Sequence, residues 1–300
     1  MNIDLDNKWG AKTKSLTDRY TADEKLYGDF AEANIKSIQQ SHKELHVVVN
    51  ISAAHIPNLF ARSISGKRPV YLNCYDLGIR NAHIGEEIPN DTWRTREIVD
   101  HALETIHGQK KENIYFMAVD LNGTGVRFYG DICIVLKDID SNTVVLDRNS
   151  FDMIRDPLSD QLTQARSEVE KHKILCGRAI ELAGHWGTSL DSIIAVKVLT
   201  ITGERDRLLT LGQISNGILD DEDYIEVLKI GSFAIEDIER IRLSSNDVAL
   251  ENYIYNRNRT GYPPSAAEQL WLMQRQEALY TFNRYRVKVV VATVSGRTKT

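Results

Sequence analysis

The sequence has little of what marks a secreted, membrane-embedded or metal-stapled protein. Its cysteines are an odd number at wide spacing, which excludes a disulfide framework and a thiolate metal site (Cys74, Cys133 and Cys176). No apolar run approaches the roughly 18 residues that cross a bilayer. The first six residues are acidic and lack the apolar core of a signal peptide. We therefore expect a cytoplasmic protein without membrane contact.

Proline is also scarce, with 6 residues in 300, and 42% of the chain is hydrophobic. These values are typical of an ordinary globular protein and exclude a largely disordered chain. A chain of this length buries enough surface to fold without a disulfide or a metal. The net charge of −5 excludes a generally basic nucleic-acid coat but not a local basic groove.

Motifs that identify common enzyme classes are absent. The sequence has no Gly-Lys-Ser/Thr phosphate loop, no Gly-x-Gly-x-x-Gly after a strand, no His-Glu-x-x-His and no Gly-x-Ser-x-Gly. The spacing of His42, His46 and His55 fits no common zinc pattern, so we expect no metal site. The Asn-Gly-Thr-Gly stretch at 122–125 lies between two predicted strands, which favours a hairpin turn over a phosphate loop.

Hydrophobic periodicity predicts strands and helices without regular alternation, which favours an α+β fold. The predicted strands are 45–51, 114–120, 126–136, 144–146, 193–201, 224–230, 241–243 and 286–294. The predicted helices are 23–40, 53–63, 91–107, 157–183, a short turn at 235–238, and 265–283. We expect one domain over 1–300, with a helical extension at 1–40 and a closing helix and strand at 244–300. The one weak linker candidate is 244–264.

A carboxylate inside an apolar strand is the most informative feature. Alternation over 224–230 places Tyr224, Glu226 and Leu228 on one face of the strand and Ile225, Val227 and Lys229 on the other. Such a carboxylate lies either on a solvated edge strand or in a cleft. The residues around Glu226 alone favour the edge strand.

Three separated stretches resemble bacterial ADP-ribosyltransferases. Tyr-Ile-Glu-Val at 224–227 and Ile-Glu-Asp-Ile-Glu-Arg-Ile at 235–241 are similar to the strand and turn that carry the catalytic glutamate. The stretch 126–137 resembles the Arg-Tyr-Gly strand of that family, and Ser150 is the candidate for the polar strand after it. The stretch 45–60 resembles the first strand and helix, where a His or Arg contacts NAD. The three stretches follow one another in the family's order.

The resemblance implies a mixed, mostly antiparallel split β-sheet with added helices, and NAD as a substrate. It implies one catalytic residue, Glu226, and a set of NAD-binding residues: His46, Arg127, Tyr129, Ser150 and Tyr224. Cleavage of the nicotinamide–ribose bond makes the sugar cationic, so a fixed carboxylate lowers the barrier, and no strong general acid is needed. Members that modify arginine carry Glu-x-Glu, whereas Tyr224 stands at the first of these positions here, which disfavours arginine as the acceptor.

The function that the resemblance implies is mono-ADP-ribosyl transfer to a macromolecule, either a nucleobase or a protein side chain. An intracellular toxin of a toxin–antitoxin or phage-defence system is similar to what this branch of the family does, and such a toxin has an antitoxin or chaperone partner. Three alternatives stay open: an NAD glycohydrolase, a non-catalytic α+β binding protein, and a hydrolase or nuclease that uses the acids at 220–223. The basic, aromatic-rich end of the chain is compatible with a nucleic-acid surface, a partner-docking surface or a plain helix face.

Overall fold

The computed structural model describes residues 46–59, 71, 100, 104, 110–137, 144–146, 149, 159–167, 169–171, 173–174, 210, 213 and 224–292. The predicted helices 23–40 and 91–107 and the predicted strand 193–201 fall on other residues, apart from the helical Asp100 and Glu104. The acids at 220–223 and the predicted extension 1–40 also lie outside the described residues.

Seven strands of the described part of the chain form one sheet. In chain order they are β1 (His46–Ile51), β2 (Ile114–Asp120), β3 (Ile132–Leu136), β4 (Val144–Leu146), β5 (Glu226–Ile230), β6 (Ile238–Ser244) and β7 (Lys288–Ala292). Their order across the sheet is β4-β5-β2-β1-β3-β6-β7. Neighbouring strands are antiparallel, except that β6 and β7 run parallel. The sheet and its helices confirm the α+β class.

The strands form because β-branched and other apolar residues dominate them. Val47, Val49 and Ile51 of β1 point to the face that holds the main core. Phe282 from the C-terminal helix packs into the same core and is fully buried. The other face carries polar side chains and is described below as the site.

The predicted hairpin of 114–120 and 126–136 is wrong. β2 and β3 do not pair, because β1 lies between them and hydrogen-bonds to both. Residues Arg127–Tyr129 form a 3-10 turn, so the third strand begins only at Ile132. A turn-forming sequence fits a longer crossing segment as well as a hairpin, and the pairing of β1 decides between them.

Four α-helices are described: α1 (Ile56–Leu59), which follows a 3-10 turn at Ala53–His55, α2 (Ser159–Gln164), α3 (Ser245–Arg259) and α4 (Ala266–Arg284). Helix α4 begins with a capping box, in which Ser265 Oγ accepts from the Glu268 N–H at 3.3 Å and Glu268 Oε2 accepts from the Ser265 N–H at 2.7 Å. Most of the weak linker candidate at 244–264 is helix α3.

The predicted long helix 157–183 is interrupted. Helix α2 ends at Gln164, and the chain bends at 166–167 before it becomes helical again at 169. Ser167 Oγ accepts from the Glu170 N–H at 3.2 Å, and the Glu170 carboxylate accepts from the Arg166 N–H at 2.8 Å. These bonds cap a new helix start, which apolar periodicity alone does not reveal.

Candidate functional site

Glu226 lies on the polar face of the sheet and is only 1% exposed. It is paired with Ala118 of β2 on one side and with Leu146 of β4 on the other. Because β4 lies outside β5, Glu226 is not on an edge strand, and the solvated-edge interpretation is wrong. A carboxylate in such surroundings exerts a stronger field than one in water, because the local dielectric is low.

Two tyrosines and an asparagine meet on the same face. Tyr224 precedes β5 and is 4% exposed, and its side chain packs with Ala118 rather than with the main core, which confirms the predicted alternation. Its hydroxyl accepts from Asn149 Nδ2 at 3.2 Å and lies 3.3 Å from the Tyr129 hydroxyl. Tyr129 itself is 52% exposed. The structure therefore brings together two predicted site residues, Tyr129 and Tyr224, on the face that carries Glu226.

The segment from Leu121 to Gly130, which we call the covering segment, folds back over this face. Buried side chains hold it there. The Asp120 carboxylate accepts from the main-chain N–H groups of Gly123 at 3.2 Å and Gly125 at 2.9 Å. Arg242 of β6 donates to the carbonyls of Leu121 at 2.8 Å and Gly123 at 3.2 Å. Its guanidinium also lies 3.6 Å from the Asp120 carboxylate, so the two buried charges compensate each other.

Val126 of the covering segment packs directly onto this face of the sheet. It packs in one buried cluster with Val48, Cys133, Val135 and Tyr224. Burial raises the pKa of the Cys133 thiol, with a further contribution from Asp120, so this cysteine stays protonated and acts as an apolar side chain. The cluster separates the tyrosine side of the face from its other end.

His46 lies at that other end. Glu226 lies two strands away from Val48, through Ala118, and His46 precedes Val48 by two residues. These spacings place the Cα atoms of His46 and Glu226 about 12 Å apart. Burial, together with the charges of Arg242 and Arg240, lowers the pKa of His46 to about 4, so the ring is neutral at pH 7. Its Nε2 lies 2.7 Å from Arg240 Nη2 and must accept, because a guanidinium only donates. The proton is therefore on Nδ1, which faces the Glu239 carboxylate at 3.4 Å.

Arg127 is turned to the helices rather than to the tyrosines. Its guanidinium pairs with Asp247 of α3 at 2.6 Å, and the pair is largely buried. Ser150 lies outside the described residues, and the neighbouring Asn149 is the residue of that stretch that contacts Tyr224. Of the five predicted NAD-binding residues, the structure brings Tyr129 and Tyr224 together, leaves His46 at the other end of the same face, and pairs Arg127 with Asp247.

Sequence reasoning missed Asp120 and Arg242, which shape the covering segment. A signal was present in both cases, since each is a charged residue inside or at the end of an apolar strand. A charged side chain in such a strand is tolerated only if it is paired. Here Asp120 and Arg242 bond to the main chain of the covering segment and lie close to each other.

Comparison of the chain with known proteins assigns it to no family. No family model matches the chain, and no curated protein matches it. None of the described helices has both the length and the apolar composition that crossing a bilayer requires. Within the described residues, no group of three or more His, Cys, Asp or Glu side chains is placed to hold a metal ion.

Proposed function

We propose that the protein is a mono-ADP-ribosyltransferase that uses NAD, with Glu226 as its catalytic carboxylate, built on a sheet of the ADP-ribosyltransferase type. The observation that carries the proposal is the burial of Glu226 on the sheet face that it shares with Tyr224, whose hydroxyl meets that of Tyr129. These three residues come from two of the three stretches that resemble the family. The third stretch supplies His46 on the same face.

Cleavage of the nicotinamide–ribose bond is favoured by a fixed negative charge beside the ribose. The bond between the ribose C1′ and the nicotinamide nitrogen breaks, and its electron pair leaves with nicotinamide, which departs neutral. The ribose becomes cationic until a nucleophile of the acceptor bonds to C1′ and gives up its proton. A carboxylate already fixed in a low-dielectric site stabilises that cation without reorganising.

The other residues suit binding. The half-exposed Tyr129 presents an aromatic ring on which the flat nicotinamide can stack. His46 is neutral, but both ring nitrogens face protein partners, so a hydrogen bond to a ribose or an amide would have to replace the contact with Glu239 or Arg240. Arg127 stays a proposed pyrophosphate contact and would have to share its guanidinium with Asp247. The acceptor in the proposal is a nucleobase or a protein side chain, and the protein acts as a toxin in the cytoplasm, held in check by an antitoxin or chaperone.

The test uses NAD that is labelled in its adenylate part, with total RNA, DNA and protein as acceptors. The Glu226→Gln variant keeps the volume and one acceptor oxygen, replaces the other oxygen with an amide donor, and removes the charge. The matched control is Glu236→Gln, the same change at an exposed acid of the 235–237 turn. We expect the wild type and the control to release nicotinamide and transfer label, and Glu226→Gln to lose at least about 100-fold in rate, as loss of one preorganised electrostatic group does.

Each other outcome has its own meaning. Nicotinamide release without transfer indicates a glycohydrolase. NAD that raises the melting temperature without turnover indicates a binding protein, since 100 times the Kd adds about 2.7 kcal/mol of stability. Equal rates for the wild type and Glu226→Gln, or neither turnover nor stabilisation, refute the proposal.

A further inference from the structure

A buried cation on helix α4 has no part in the chemistry proposed above. Arg275 is 1% exposed and is the largest fully buried side chain of the described residues. A guanidinium leaves water only where acids compensate it, since its desolvation is costly. Its Nη1 bonds Asp131 at 2.8 Å and lies 3.6 Å from Asp247, and its Nε bonds Glu251. The Trp271 ring packs against the guanidinium, with its centroid 5.0 Å from Cζ.

The acids around Arg275 come from separate parts of the chain. Asp247 and Glu251 lie on α3, whereas Asp131 immediately precedes β3. The second oxygen of Asp131 accepts from the Ala53 N–H at 2.8 Å, just after β1. Arg275 therefore joins the two long helices to the ends of two central strands.

This ion cluster holds both ends of the short segment that carries Tyr129. Arg127, at the start of the segment, is paired with Asp247, and Asp131, at its end, is paired with Arg275. Between them, Gly130 lies so close to β1 that a Cβ atom there would be 2.0 Å from the Ile51 carbonyl carbon. The segment is thus fixed at three points in five residues.

Tyr129 depends on this anchor because its ring packs against the ring of Phe128 in the same turn, with centroids 3.9 Å apart, and both side chains are exposed. Half of its surface is exposed, it stands in a single 3-10 turn, and its hydroxyl contact with Tyr224 is 3.3 Å long. One hydrogen bond of this kind contributes about 1 kcal/mol. The position of the ring is therefore set by the main chain beneath it.

We propose that Arg275 is a positioning residue, which fixes the Arg127–Asp131 segment from the helices and so holds Tyr129 against Tyr224 at the Glu226 site. Its effect on turnover rests on the function proposed above, whereas its effect on the segment does not. Without the guanidinium, Asp131, Asp247 and Glu251 are left with Arg127 as the cluster's one cation, and their repulsion releases the segment.

The first measurement is amide hydrogen exchange on the full chain, which requires no NAD chemistry. The reporters are the Tyr129 and Gly130 N–H groups, which bond to the carbonyls of Val126 and Arg127 at 3.1 Å. In Arg275→Met we expect these two amides to exchange at least about tenfold faster, measured relative to the Val48 amide in β1. The control is Arg257→Met, which removes the ion pair of Arg257 with Glu268 at the other end of the same helices and leaves both reporters unchanged.

The second measurement is a double-mutant cycle on nicotinamide release. If Arg275 acts through Tyr129, Arg275→Met lowers the rate of the wild type but not that of Tyr129→Ala. A purely structural role gives the same fold-loss in both backgrounds. If Arg275→Met does not fold, Arg275→Lys and Asp131→Asn take its place, since each keeps most of the cluster and loosens the tie to Asp131.

The outcomes separate the two proposals. Faster exchange at Tyr129 and Gly130 in a chain without NAD turnover supports the positioning role and refutes the proposed function. Unchanged exchange at both amides, or equal acceleration at Val48, overturns the positioning role whatever the turnover. A cycle with equal losses in both backgrounds overturns it as well.

Discussion

Replacing Gly125 with alanine tests how the covering segment is held over the sheet. Gly125 has a φ of +66°, the left-handed region that favours glycine. An alanine Cβ there would lie 2.1 Å from Asn50 Oδ1 and 3.3 Å from Cys133 Sγ. Asn50 cannot turn away freely, because its Nδ2 donates to the carbonyls of Thr124 at 2.9 Å and Gly130 at 3.1 Å.

The magnitude follows from these contacts. A left-handed residue with a Cβ costs roughly 1–2 kcal/mol. Displacing Asn50 breaks two hydrogen bonds, one buried and one partly buried, each worth about 1 kcal/mol. We therefore expect Gly125→Ala to lower the free energy of unfolding by roughly 3–4 kcal/mol, of which about half comes from Asn50.

Two matched controls isolate the part due to Asn50. Gly231 and Gly261 also have positive φ, at +84° and +91°, but a Cβ at either position meets nothing within 4 Å. Gly231→Ala and Gly261→Ala should cost only the backbone part, roughly 1–2 kcal/mol. Urea unfolding of the three variants gives the comparison, as shifts in midpoint at a constant m-value.

The Asn50→Ala background completes the assay, because it removes both the clash and the hydrogen bonds. There, Gly125→Ala should cost no more than the two controls do. Equal losses for Gly125, Gly231 and Gly261 in the wild-type background would refute the reasoning, and so would an undiminished loss at Gly125 in the Asn50→Ala background.

Two further predictions concern the same face. Gly130→Ala should destabilise more than Gly125→Ala, although Gly130 has an extended φ of 166°, because its Cβ would lie 2.0 Å and 2.2 Å from main-chain atoms of Ile51 and Ser52, which cannot rotate away; a melting temperature at or above that of Gly125→Ala would contradict this. The pKa of His46, lowered to about 4 from 6.5, makes its protonation favour the unfolded chain. Stability is therefore complete above pH 6.5 and falls as the pH drops from 6.5 to 4, by about 3 kcal/mol at most. Ring NMR titration and urea unfolding at pH 7 and pH 4.5 measure both effects, and an unchanged acid loss in His46→Gln would show that another group is responsible.

Local sequence signals predicted most of the described strands and helix α4, because each depends on residues close in the chain, but they missed helix α3. The predicted strand 45–51 and the predicted helix 265–283 lie within one residue of the observed ends of β1 and α4. Alternation also placed Tyr224 and Glu226 on one face. Whether that face is covered depends on β4 and on Val126, which lie about 80 and 100 residues away from Glu226, and no local pattern carries this information.

The failures have the same physical origin. The hairpin prediction for β2 and β3 was wrong because β1, far earlier in the chain, lies between these two strands and pairs with both. Arg275 belongs to the basic end of the chain, for which the sequence left three kinds of surface open, but acids from two distant segments converge on it and permit its burial. The pyrophosphate contact of Arg127 stays a prediction, and in this structure its guanidinium pairs with Asp247.

The strand order also has a consequence during protein synthesis. Glu226 pairs with Ala118, so β2 leaves the ribosome more than 100 residues before its neighbour β5. At a translation rate of roughly 5–20 residues per second, the nascent chain exposes that edge of β2 for about 5 to 20 seconds. An unpaired edge of this kind is open to other strands, which makes this interval the period of greatest need for a chaperone. A polypeptide released before residue 224 contains Tyr129 but lacks both Glu226 and Tyr224, whose hydroxyl meets that of Tyr129.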